Sequence, residues 1–98
     1  MTIEKKLNGS ELCVALEGRL DTVTAPELEA TLKETMTDAE TLTLDFSKLE
    51  YISSAGLRVL LSAHKVMSRK GGMIIANVNE IVREVFDVTG FSDILNIA

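Results

Sequence analysis

Ninety-eight residues suffice for one small domain with a single hydrophobic core, and residues 1–98 read as one unit. Apolar residues make up 46% and charged residues 26%, a globular composition that excludes a predominantly disordered chain. Fifteen acidic against ten basic residues, a net charge of −5, no Trp, one Tyr and three Phe exclude a phosphate-backbone grip and a base-stacking platform, so no direct nucleic-acid ligand is expected.

The N-terminal residues carry Glu4, Lys5 and Lys6 with no apolar segment behind them, which argues against a signal peptide. No apolar run approaches the ~18 residues of a membrane span. The expectation is a cytoplasmic protein with no membrane insertion. Ile3–Leu7 and Glu11–Glu17 read as strands flanking Asn8-Gly9-Ser10, where Asn-Gly supplies the positive φ of a tight antiparallel hairpin. Cys13, the single cysteine, has no disulfide partner and, between Leu12 and Val14, is expected to be a buried thiol. Gly18 closes the second strand and Arg19–Val23 form a loop. Thr24-Ala25-Pro26-Glu27 has the form of a capping box, followed by an apolar stripe of Leu28, Leu32 and Met36 on a helix.

Thr41–Phe46 is the third strand, with Leu42, Leu44 and Phe46 on one face, and Ser47–Ser53 is a loop. A helix follows over Ala55–Arg69, with Leu57, Leu60, Leu61, His64 and Met67 as its apolar stripe and Arg58, Ser62, Lys65 and Arg69 opposite. Gly71-Gly72 ends it. Met73–Ala76 is a short strand apolar enough to be central, and Asn79 caps a last helix over Glu80–Thr89 that Gly90 stops. Phe91–Ile97 is a final turn and extended tail.

The order β-β-α-β-α-β-α predicts an α/β fold with a four-stranded, mostly parallel sheet and an antiparallel edge strand, because strand–helix–strand crossovers return parallel. The loops after strands two, three and four then leave from the carboxyl end of the sheet, where open α/β sheets place their sites. Asp21-Thr22, Ser53-Ser54 and Asn77–Asn79 are expected to converge there.

Enzyme chemistry finds little support. A serine nucleophile needs a base within hydrogen-bond reach, and His64, the only histidine, lies ten residues beyond Ser54, about 15 Å along a helix. It also falls in the apolar stripe, as a core or boundary histidine does. Asp45 and Glu50 flank one loop without converging as an acid–base pair. With no metal-ligand spacing and no Gly-rich phosphate loop, no cofactor is expected.

The segment Tyr51-Ile52-Ser53-Ser54-Ala55-Gly56-Leu57 stands out. Two serines before a helix are explained by a plain N-cap. Ala55 and Gly56 are then small for close packing, yet a glycine in the first turn costs roughly 1 kcal/mol against alanine, which implies that another surface approaches the backbone closely. A serine at a helix start also suits phosphorylation, because free N–H groups and the positive end of the helix dipole favour a phosphate.

Leu44-Asp45-Phe46-Ser47, the Tyr51–Leu57 turn and Val59-Leu60-Leu61 resemble the central motif of the STAS domain family, which includes bacterial anti-sigma factor antagonists and cytoplasmic domains of sulfate transporters. Gly18-Arg19-Leu20-Asp21 with Thr24-Ala25-Pro26-Glu27-Leu28, Lys70-Gly71-Gly72, and Val85-Phe86-Asp87-Val88-Thr89-Gly90-Phe91 extend the resemblance over nearly the whole chain. In free-standing members the regulated serine stands two residues before the motif glycine, which the resemblance maps to Ser54 and Gly56. Many phosphorylated members carry aspartate just before that serine; here the residue is Ser53, a neighbouring hydroxyl and a competing target.

The resemblance implies a partner switch. Unphosphorylated, a surface of Asp21, Thr22, Ser53, Ala55, Gly56, Leu57 and Arg58 docks on an anti-sigma factor of the histidine-kinase-type ATPase fold and frees the sigma factor. That partner phosphorylates Ser54, and a serine phosphatase resets the switch. The alternative is a STAS scaffold subunit of a transporter or sensory complex that is not phosphorylated. Charge is uneven: from Thr24 to Glu40 the acids Glu27, Glu29, Glu34, Asp38 and Glu40 stand against Lys33 alone, while Ser54 to Lys70 carries Arg58, Lys65, Arg69 and Lys70 and no acid. Such stripes ordinarily mean solvated faces. Arg58, one turn beyond Ser54, is placed to meet a phosphate or a partner.

Overall fold

The computed structural model describes all residues, 1–98. Its elements run β1 (Thr2–Asn8), β2 (Glu11–Leu20), α1 (Ala25–Met36), β3 (Thr41–Ile52), α2 (Ser54–Met67), β4 (Met73–Ala76), α3 (Glu80–Thr89) and a 3₁₀ turn (Phe91–Asp93). The sheet order is β1-β2-β3-β4, with β1 antiparallel to β2 and the other pairs parallel. Element order, strand directions and edge position of β1 agree with the sequence reading. The hairpin turn differs in detail: only Gly9 has positive φ (65°), as in a turn with glycine first of its two central residues, and Asn8 remains in the strand.

One face of the sheet is covered. Leu12, Val14, Leu16, Leu42, Leu44, Phe46, Met73 and Ile75 alternate along the strands and join Leu28, Leu32, Leu60, Met67, Val82 and Phe86 from the helices in one buried cluster. Each such side chain contributes ~1.5–3 kcal/mol of burial. The opposite face carries Thr2, Glu4, Lys6, Cys13, Thr43 and Ile74, none of them buried. Cys13 is therefore exposed rather than buried. In a sheet covered on one side only, strand alternation sends Leu12, Val14 and Leu16 to the helices and Cys13 to the bare face.

Other expectations shift as well. The segment Ser47–Ile52, read as loop, continues β3, because β2 also runs on to Leu20 and pairs with it through Arg19↔Tyr51 and Leu20↔Ile52. Register shifts between Ala15 and Glu17 and between Gly18 and Arg19 break the alternation that periodicity reads. The strand β4 lies at the edge of the sheet rather than its centre. Its outer edge is met by the C-terminal tail, where Ile75 N–H donates to the Asn96 carbonyl at 2.9 Å and Ala98 N–H to the Ile75 carbonyl at 2.9 Å.

Lys70 is no solvated charge. Its Nζ donates to the carbonyls of Met36 (2.7 Å), Thr37 (3.3 Å) and Ala39 (2.9 Å), satisfying acceptors that the end of α1 leaves open. His64 is half-buried, as a boundary residue, and its Nδ1 has no partner.

Candidate functional site: the start of α2 and the loop after β2

The C-terminal ends of β2 and β3 bring Asp21 and Ser53 together. Ser53 N–H donates to the Leu20 carbonyl at 2.9 Å, so the residue that opens α2 is held beside the residue that opens the β2–α1 loop. That loop is built on Asp21. Its Oδ1 accepts from the N–H of Val23 (3.0 Å) and of Thr24 (3.1 Å), and its own N–H donates to Thr24 Oγ1 at 2.9 Å. The Thr24 hydroxyl donates to the Arg19 carbonyl at 2.8 Å, and no capping box with Glu27 forms. A side chain already held by Asp21 and Arg19 cannot also turn toward the helix amides. The Thr24 N–H, foremost among these donors, holds the Asp21 carboxyl below its ordinary range. The loop is thus tied down, and it presents Thr22 and the 85%-exposed Val23 to solvent.

Ser53 and Ser54 have different surroundings. Ser53 is the N-cap residue by position, with extended backbone (φ −103°, ψ 176°), yet its side chain caps nothing, and its Oγ is buried without a partner. Ser54 is the first residue of α2 and is exposed. The first-turn amides of α2 receive no side-chain cap, whereas α3 is capped by Asn79 Oδ1 accepting from Val82 N–H at 2.8 Å. Arg58 lies one turn on, exposed and without an ion pair, on the same helix face as Ser54.

Gly56 and Leu57 are buried. The surface that approaches Gly56 is internal: a Cβ there would lie 2.7 Å from Leu20 Cγ and 2.8 Å from Ile52 Cγ1. These two expected contact residues therefore seat α2 against the strand ends and present no surface of their own. Outside them, a shallow concavity of about 230 Å³ runs between Thr22, Pro26 and Glu29 on one side and Ala55, Arg58 and Val59 on the other. Neither Val23 nor Glu29 was marked by a motif, and Pro26 only as part of a helix start; the packing of α1 beside α2 brings Pro26 and Glu29 to the concavity.

The third loop does not join. Asn77, in the left-handed region at φ 60°, donates through Nδ2 to Asp45 Oδ1 at 3.0 Å, and Asn79 Nδ2 donates to the Leu49 carbonyl at 2.8 Å. Pairing of β4 with β3 ends at Asp45, while β3 continues to Ile52. At ~3.3 Å per residue, the Leu49 anchor lies about 10 Å short of the end of β3. Asn77–Asn79 are thus held beside the middle of β3, away from Ser54. The Asp45 carboxyl is held low by Asn77 and by Ser47 N–H.

The model of the STAS domain matches residues 2–98. The chain belongs to the STAS domain family. Among its relatives, BtrV of Bordetella bronchiseptica, named as a candidate anti-sigma factor antagonist, is 38% identical over 95 residues, covering 95% of this chain and 81% of that protein. The anti-sigma F factor antagonist of Paenibacillus polymyxa is 30% identical over 100 residues, covering 99% and 86%. The crystal structure of an anti-sigma factor antagonist from Mycobacterium paratuberculosis superposes with a TM-score of 0.89 at 24% identity, covering 98% of this chain and 83% of that one, a likeness of fold. No helix of this STAS domain is long and apolar enough to cross a membrane.

Proposed function

We propose that this STAS domain is an anti-sigma factor antagonist, a regulator of transcription by partner switching rather than an enzyme, and that Ser54 is its switch. Relatives similar to it over nearly the whole of this chain carry that name. The observation that carries the assignment of the switch is the contrast between the two serines: Ser54 is exposed at the uncapped start of α2, and the Ser53 hydroxyl is buried. A kinase reaches the first and not the second.

The docking surface consists of the exposed parts of the site: Thr22 and Val23 on the tied loop, Ser54, half-buried Ala55, and Arg58. Asp21, Gly56 and Leu57 support it from beneath. The partner is an anti-sigma factor of the histidine-kinase-type ATPase fold, which phosphorylates Ser54; a serine phosphatase reverses the step. Phosphorylation adds about −1.5 to −2 charges and three acceptor oxygens. In the free protein, the first-turn amides of α2 and the Arg58 guanidinium can hold that group. In a close-packed interface it must be desolvated, so docking fails without refolding.

Intact-mass measurement and site mapping on protein isolated from its native cells, with and without stress, test this reading. The expected result is a phosphate on Ser54 whose occupancy changes with condition. A persistently unmodified Ser54, or a phosphate on Ser53, contradicts it.

A further inference from the structure

The sheet has two edges, and they are treated differently. The edge at β4 is four residues long and is met by the tail through Asn96 and Ala98. The edge at β1 is seven residues long, pairs with β2 without a bulge, contains no proline, and is exposed at every residue but half-buried Ile3. Such an edge is a template for another strand.

Its hydrogen-bond parity is set by the hairpin. A two-residue loop makes Asn8 and Glu11 a hydrogen-bonded pair. Alternation then commits the backbone groups of Lys6, Glu4 and Thr2 to β2 and directs those of Ile3, Lys5 and Leu7 outward. Antiparallel pairing of two copies about a two-fold axis at Lys5 brings these outward groups opposite one another, Ile3 to Leu7 of the second copy and Lys5 to itself, for about six hydrogen bonds.

The side chains select the same register. Glu4 and Lys6 lie on the bare face of the sheet and fall opposite Lys6 and Glu4 of the second copy, giving two ion pairs. Ile3 and Leu7, the latter 50% exposed, cover each other on the helix side. A shift by one pairing step in either direction instead opposes Glu4 to Glu4 or Lys6 to Lys6, which is unfavourable. The remaining like-charge contact, Lys5 with itself, is relieved by Glu34 and Asp38, which line one concavity with Lys5.

We infer that the β1 edge is a self-association surface, pairing with a second copy of this chain in that register to form a continuous eight-stranded sheet. The contact is smaller than the ~1,200 Å² of a standard interface, so association is weak and salt-sensitive. The inference does not depend on the role of Ser54, which lies at the other side of β2.

Sedimentation equilibrium at roughly 0.1–1 mM protein and low salt tests it, with amide hydrogen exchange as the local readout. Dimers are expected, with protection of the Ile3, Lys5 and Leu7 amides rising with concentration. Glu4→Lys and Lys6→Glu are each expected to weaken association at least ~10-fold, the double exchange to restore it within ~3-fold, and Lys5→Thr to strengthen it. These positions are exposed, and circular dichroism confirms that each variant is folded. A wild-type protein that stays monomeric at 1 mM, or a dimer indifferent to the single exchanges or not rescued by the double exchange, overturns the inference.

Discussion

Leu20 and Gly56 meet so closely that a Cβ on Gly56 would lie 2.7 Å from Leu20 Cγ. The contact joins the end of β2 to the first turn of α2, beneath Ser54. Leu20 is fully buried, so its branch carbon has no room to retreat. Gly56→Ala is expected to destabilise the fold by up to about 2 kcal/mol: overpacking of ~1–3 kcal/mol is offset in part by the ~1 kcal/mol gained in helix propensity. Urea unfolding should show a lower midpoint with an unchanged slope.

Ser54 supports no fold contact, so Ser54→Ala and Ser54→Asp should leave stability within about 0.5 kcal/mol of wild type. Their effects on partner binding should diverge. With the cognate anti-sigma factor in titration calorimetry, the alanine variant binds as wild type and is refractory to phosphorylation, while the aspartate variant loses at least ~10-fold in affinity. Normal binding by the aspartate variant would count against the switch.

Lys70 provides a contrast between a cation with a structural role and one at the surface. Lys70→Met leaves the carbonyls of Thr37 and Ala39 without their donor, while that of Met36 keeps only the Ala39 N–H at 3.2 Å, and is expected to cost about 1–3 kcal/mol. Lys33→Met removes only an exposed pair with Glu29 at 3.2 Å and should change stability by less than ~0.5 kcal/mol. Thermal melts of the two variants side by side separate the cases.

The carboxyls of Asp21 and Asp45 are both held below the ordinary value of 3.8 in the folded protein. A depressed folded pKa means that the unfolded chain binds the proton more readily. Each group's contribution is thus complete above about pH 4 and is lost as pH falls through its folded pKa. Carboxyl ¹³C shifts in an NMR titration should show both groups protonating below the ordinary value of 3.8. Asp45→Asn should flatten the acid limb of the stability curve. An Asp45 that titrates at or above 3.8 would refute this account.

Much of the fold was legible because it rests on local chemistry. Asn8-Gly9, Pro26, Asn79 and Gly90 act within a few residues of themselves, and the stripes Leu28-Leu32-Met36 and Val82-Phe86 record the period of the helix that buries them. The Ser53-Ser54-Ala55-Gly56 motif was likewise readable, and with it the family. The length of β3 was not legible, because the register shifts against β2 break the alternation by which a strand is recognised. The sequence by itself determined the element order, the hairpin, the helix faces and the motif at the start of α2. Only the tertiary structure decided that Cys13 faces solvent, that Gly56 is filled by Leu20 and Ile52 rather than by a partner, that Lys70 serves the carbonyls of α1, and that Asn77–Asn79 stand apart from Ser54. Each of these depends on which side of the sheet is covered or on which distant strand lies alongside, and no property of neighbouring residues encodes that.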